Sequence, residues 1–235
     1  MLEIKGLRKK YGKLQVLKNL DLDFTQSGIY VVLGPNGSGK TTLIKCILGM
    51  VIPEEGTIYY DNLSISGSCE YRKNISYLPQ IARFPENLTG RELIAMIKDI
   101  RKTESHEQEL IDLFELEKHL DKNLKHLSGG TKQKINTVIA LMFDSKIIIL
   151  DEPTAGLDPI SLIRFKTLLM KLRSEGKIII ITTHVIDLVE KIADRIIFLL
   201  EGETYFNGSV NELIAGQDSS NLEEAIANIL ENNHV

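Results

Sequence analysis

Gly34-Pro35-Asn36-Gly37-Ser38-Gly39-Lys40-Thr41 stands between a β-branched apolar run at residues 29–33 and an apolar helical stretch at 41–49. A glycine-rich turn that leaves a strand and opens a helix is the P-loop arrangement, and it predicts an α/β P-loop NTPase. Glycines let backbone amides turn toward phosphate oxygens with no Cβ in the way. The helix that follows adds about half a positive charge at its N-terminus. Lys40 would neutralise β- and γ-phosphates, and the Thr41 hydroxyl would ligand Mg²⁺. Thr42 completes the candidate nucleotide-binding segment in the first helical turn.

Outward from this loop, the apolar pattern alternates between two periods. Short β-branched runs at 147–150, 178–182 and 196–200, with 29–33, read as buried strands of a largely parallel sheet. Helical stretches at 131–143, 159–174 and 185–193 lie among them, an α/β pattern. Residues 2–7, 16–24 and 57–60 read instead as antiparallel strands of a small β subdomain. Residues 83–143 hold no convincing strand and read as a helical subdomain. There, Thr89-Gly90-Arg91-Glu92 is a capping box opening a helix whose Leu93, Ile94, Met96 and Ile97 share a face. A second helix opens at Ser105, with Leu110, Ile111, Leu113 and Phe114 inward. Beyond the 131 position, Ile135, Val138, Ile139 and Met142 form a buried stripe. A short amphipathic helix at 221–230, within a tail of about 216–235, is expected to fray.

Composition limits the function classes. The chain has 235 residues, 43% of them hydrophobic and 26% charged, with a net charge of −4. That balance gives no nucleic-acid-binding face, and the basic run Arg8-Lys9-Lys10 reads as solvated surface. Cys46 and Cys69 are far apart, with no Cys-x-x-Cys, and Cys46 falls among helical apolar residues as packing. No apolar run reaches the roughly 18 residues of a membrane span, and the first residues lack signal-peptide features. The expected location is the cytoplasm, with any membrane reached through a partner.

Further residues carry possible chemistry. Asp151 and Glu152 follow a strand, which brings them to a carboxyl end of the sheet, where ligands of α/β folds bind. Asp151 suits a direct or second-shell Mg²⁺ carboxylate, and Glu152 a base that orients or deprotonates water. An Asp-Glu-Pro sequence can also merely end a strand. His184 comes after the 178–182 strand and Thr183, where it could meet a γ-phosphate or simply lie on the surface. Gln80 could accept from a water and touch Mg²⁺, as could many turn glutamines. Tyr11 could stack on an adenine or be an ordinary exposed tyrosine. Leu127-Ser128-Gly129-Gly130-Thr131 opens a helix with a second set of phosphate-facing amides, which one active site has no evident use for. That surplus suggests a site shared between two copies.

In this order, the set resembles the nucleotide-binding domain of ATP-binding cassette (ABC) transporters over essentially the whole chain. The resemblance implies one domain with a RecA-like core, an antiparallel β subdomain and a helical subdomain. It makes Tyr11 the adenine-stacking aromatic, Gly34–Thr41 the Walker A loop, Gln80 the Q-loop glutamine, Leu127–Thr131 the signature, 147–152 Walker B, Thr154–Asp158 the D-loop and His184 the switch histidine. It implies ATP and Mg²⁺ bound between two head-to-tail copies, with Ser128, Gly129, Gly130 and Asp158 serving the partner's nucleotide. A membrane permease is implied as partner, with Ala82, Arg83 and Phe84 as contact candidates, and a peripheral position on the inner face of the plasma membrane. A soluble ATPase acting on DNA or the ribosome, and a P-loop kinase or nucleotide sensor, are the competing classes.

Thr131 departs from the family's usual Gln, which bears on turnover and subclass. The segment Asn87-Leu88-Thr89-Gly90-Arg91-Glu92 resembles ABC-2-type exporters. The longer run at 77–89, together with residues 127–131, is similar to NosF-type ATPases of copper-site assembly in nitrous oxide reductase, which would add a periplasmic copper-handling protein as partner.

Overall fold

The computed structural model describes residues 1–233. In chain order its strands and helices are β1 (Leu2–Tyr11), β2 (Leu14–Phe24), β3 (Gly28–Leu33), α1 (Lys40–Ile47), β4 (Glu55–Tyr60), β5 (Leu63–Ser64) and β6 (Ile75–Leu78). Then come α2 (Gly90–Arg101), α3 (Glu107–Leu113), α4 (Gly129–Leu141), β7 (Ile147–Asp151), α5 (Pro159–Ser174) and β8 (Ile178–Thr182). The chain closes with α6 (Ile186–Ile192), β9 (Arg195–Leu200), β10 (Glu203–Gly208), α7 (Val210–Gly216) and α8 (Leu222–Asn232). Two compact units form, one from Met1–Arg72 with Ile178–Val235 and one from Lys73–Lys177.

In the first unit, β3 is buried at every residue and pairs in parallel with β8 on one side and β9 on the other. A strand covered on both faces must be apolar throughout, which is why Gly28–Leu33 shows no polar alternation. Each such Ile, Val or Leu contributes roughly 1.5–3 kcal/mol by leaving water. β10 adds an antiparallel edge to β9 through Glu201-Gly202, both at positive φ, 48° and 80°. This two-residue turn matches the twist of a hairpin. Asp61-Asn62 repeats the device between β4 and β5, at φ 47° and 65°. The antiparallel sheet runs β2-β1-β4-β5.

The second unit pairs β6 with β7 in parallel, from Ile75 opposite Ile147 to Leu78 opposite Leu150. Helix α4 packs on β6, and α2 and α3 pack on α4. The expected capping box is present: Glu92 N donates to Thr89 Oγ1, and Thr89 N donates to Glu92 Oε2. Residues 83–143 carry α2, α3 and α4, with two isolated bridges at Thr89–Asn123 and Ser105–Phe143.

Several expectations need correcting. Leu93 and Ile94 are buried, but Met96 is exposed, because one helix of this length buries a narrower stripe than four adjacent apolar residues span. Along helix α4 the polar Thr131, Gln133, Asn136 and Thr137 are buried beside Ile135, Val138 and Met142, while Lys132, Lys134 and Ile139 are partly exposed. The terminal helix α8 is docked, with Leu222, Ala225 and Ile229 fully buried and contacts to α6 and α7. The basic run stays on the surface, with Arg8 and Lys10 exposed, and Arg8 and Lys9 pair there with Glu55 and Glu54. The 216–235 expectation reaches two residues outside those described.

Candidate nucleotide-binding and catalytic residues

In the first unit, β3 delivers the chain into Gly34–Gly39 and α1 begins at Lys40. The N-cap of α1 is Gly39, at φ 104°. A Cβ there would meet Leu17 Cδ2 at 2.6 Å and the Val16 carbonyl oxygen at 2.9 Å, so the entry needs glycine twice over. No acidic residue sits in the first turn of α1 to cancel the field of its free amides. The Lys40 ammonium is drawn into the loop, donating to the carbonyls of Gly34 at 2.7 Å and Pro35 at 3.0 Å. Ser38 N closes the turn on Pro35 O at 3.2 Å. Ser38 Oγ is buried without a hydrogen-bond partner, a cost of about 1–3 kcal/mol that an anion accepting its proton would remove. Asn36, Gly37 and Thr41 are exposed and Thr42 half-buried.

Tyr11 ends β1, paired with Leu14, and the residue is 49% exposed. The Lys9 ammonium lies 5.2 Å from the ring centroid. It is held by Glu54 Oε1 at 2.8 Å and the Ile52 carbonyl at 2.9 Å. His184 is exposed just beyond β8, where Val185 N donates to Thr183 Oγ1 at 3.1 Å.

The second unit carries the other candidates. Asp151 is the last residue of β7 and only 4% exposed. Burial, with the Asp151 charge added, pushes the Tyr77 phenol up to about 12. Glu152 follows at φ 50°, a left-handed conformation that side-chain-bearing residues avoid and that concentrates at functional sites. Gln80 is exposed two residues past β6.

Ser128 is the N-cap of α4 and accepts from Thr131 N at 3.2 Å. Ser128 and Gly129 are exposed, and again no acidic residue lies in the first turn. Gly130 approaches the turn after β7 so closely that a Cβ would sit 2.5 Å from the Gly156 carbonyl oxygen. Gln133, which carries no motif signal in the sequence, ties the same helix to that turn, its Nε2 donating to Pro153 O at 3.1 Å. Asp158 caps α5, accepting from Ser161 N at 2.8 Å and Ser161 Oγ at 2.7 Å. Lys134 Nζ adds a contact at 3.2 Å. The Ser161 bonds first, and Lys134 after them, hold the Asp158 carboxyl well below the usual range. Its carboxylate therefore already serves its own chain, a structural duty beyond the one the resemblance implies. The signal for it lies in the sequence: Asp before Pro159 is an N-cap followed by proline at the first helical position.

A parallel sheet, a P-loop and acid residues ending a strand define a P-loop nucleotide-binding protein. A family model described as ABC transporter matches residues 17–155, more than half of the chain, and the chain belongs to that family. It is 32% identical over 219 residues to the lantibiotic transport ATP-binding protein SrtF of Streptococcus pyogenes, covering 90% of this chain and 93% of that one. It is 32% identical over 215 residues to the Nod factor export ATP-binding protein I of Mesorhizobium japonicum, covering 89% and 63%. Among solved structures it resembles an ATP-binding subunit of an ABC transporter, with TM-score 0.89, 27% identity, and 97% and 98% coverage. It also resembles a dimeric ATP-binding cassette bound to ADP and Pi, with TM-score 0.78, 27% identity, and 89% and 98% coverage. The chain is thus an ATP-binding subunit of the ABC type. Among its described residues, no helix is long and apolar enough to cross a membrane.

Proposed function

We propose that this protein is the ATP-hydrolysing subunit of an ABC-type exporter, and that two copies close head to tail over ATP and Mg²⁺ to drive a separate membrane permease. The observation that carries the reading is the presence, in one chain, of two helix N-termini free of acidic residues: α1 behind the P-loop and α4 behind Ser128. One would hold a nucleotide of its own copy, the other that of the partner.

Tyr11 would stack on the base, and Gly34–Thr42 with Lys40 would hold the phosphates. Thr41, Gln80 and Asp151 offer oxygen donors alone, the chemistry that a hard cation such as Mg²⁺ prefers. Mg²⁺ would neutralise phosphate charge during transfer. Glu152 would take up a proton as the water oxygen bonds to the γ-phosphorus and ADP leaves. His184 would contact the γ-phosphate. Ser128 and the amides of Gly129 and Gly130 would stabilise the charge that develops there. Asp158 would come near the nucleotide through the geometry of its turn, since its carboxylate caps α5.

Export as the direction rests on the Nod factor relative and on the resemblance of residues 87–92 to ABC-2-type exporters. The copper-site assembly reading of NosF-type ATPases, with its periplasmic copper-handling partner, rests on the resemblance of residues 77–89 and 127–131. The relatives described above serve lantibiotics and Nod factors, so the general exporter is preferred. A cleft of about 350 Å³ lined by Ala82, Arg83, Phe84, Glu86, Leu124, Lys132 and Asn136 is offered as the permease-facing surface. Extraction of native membranes in mild detergent should co-purify an integral membrane protein with this chain. Recovery with ribosomes or DNA, and with no membrane protein, would overturn the transporter reading.

A further inference from the structure

A serine hydroxyl has one proton to give and two lone pairs that accept. At the start of α2 and of α7 the capping hydroxyl gives its proton to a carboxylate of its own helix. Thr89 Oγ1 donates to Glu92 Oε2 at 3.0 Å, and Ser209 Oγ donates to Glu212 Oε2 at 2.9 Å. Those hydroxyls have nothing left to donate. Helix α4 is built differently at the same position. Three residues after Ser128 stands Thr131, and its side chain is too short to reach the Ser128 backbone N–H as Glu or Gln does in a capping box. Instead Thr131 Oγ1 lies 2.9 Å from Ser128 Oγ, while Thr131 N donates to the same oxygen at 3.2 Å. Thr131 is buried and Ser128 exposed.

We infer that Thr131 is a positioning residue: its hydroxyl donates to Ser128 Oγ, fills the remaining acceptor position, and leaves the single Ser128 proton directed outward for a phosphate oxygen held by a second copy. A carboxylate at this position would take that proton, as Glu92 and Glu212 do. The inference rests on the shared-site reading proposed above.

The test uses the Glu152→Gln background and reads the ATP concentration that gives half-maximal dimer. Ser128→Ala is expected to raise it at least about tenfold. Thr131→Val, which exchanges only the hydroxyl for a methyl, is expected to raise it about fivefold, the worth of one net hydrogen bond. Thr131→Ser restores the hydroxyl and should stay within about twofold of the parent. In the double variant Ser128→Ala/Thr131→Val, the second change should add less than about twofold, because Thr131 acts through a group already gone. A parent-like Thr131→Val beside an impaired Ser128→Ala overturns the inference and spares the shared site. Multiplying effects in the double variant also overturn it, since Thr131 would then act through helix packing. A parent-like Ser128→Ala overturns the shared site itself, and the inference with it.

Discussion

Glu152 holds a backbone conformation that costs a residue with a Cβ about 1–3 kcal/mol. On the proposed function, that strain is kept for the Glu152 carboxylate. Glu152→Gly removes the steric objection, so its urea midpoint is expected to match or exceed the parent's while hydrolysis falls by about 10²–10⁴. A clear loss of stability would mean that Glu152 is held for its contacts instead. Lys40 is drawn onto two carbonyls of its own loop, so a nucleotide must recruit an ammonium already at hand. Lys40→Ala should abolish binding of a fluorescent ATP analogue, and unchanged affinity would remove Lys40 from the phosphates. The two thiols separate cleanly. Burial pushes Cys46 up to about 11, while Cys69 is exposed. The folded protein should therefore titrate one fast thiol at pH 8 and two only after denaturation. Because Cys46 is held neutral in the fold, its contribution to stability should fall away as pH rises from about 9 toward 11.

Helix termini carry most of the proposed chemistry, and the sequence declares some of them better than others. Thr89 with Glu92 spells a capping box and forms one. Gly34 to Thr41 spells a P-loop between strand and helix, and the elements follow. The Asp158 cap is equally legible in its Asp-Pro pair, although the resemblance alone directs attention to the partner's nucleotide. Its depressed carboxyl sets a sign: the cap contributes above the ordinary aspartate range, near pH 4, and is lost as pH falls through the lower folded value. Asp158→Ala should thus lower the thermal midpoint at pH 7, at a cost of about 1 kcal/mol, and flatten the acid limb of the stability curve. An unaltered acid limb would count against the cap. The strands β6 and β10 are the harder elements. β10 is a polar edge strand whose best signal, Glu201-Gly202, is a two-residue turn rather than an apolar pattern. Helix α4 misleads because burial on most of its sides erases the periodicity that marks a surface helix.

At the scale of the whole molecule, the proposed function gives a single copy two helix N-termini for phosphate, at α1 and α4. On the proposed reading, the exposed Ser128 and Gly129 at the start of α4 face another molecule, and this surplus is legible in residues 127–131. The priming of Ser128 is not, because hydrogen-bond direction depends on where the Thr131 hydroxyl lies. The central claim is that ATP closes two copies on each other. Gel filtration of Glu152→Gln with and without MgATP tests it most directly. The account predicts a monomer without nucleotide and a dimer with it, the dimer vanishing when Ser128→Arg is added. An ATP-loaded Glu152→Gln protein that stays monomeric at every concentration would contradict it.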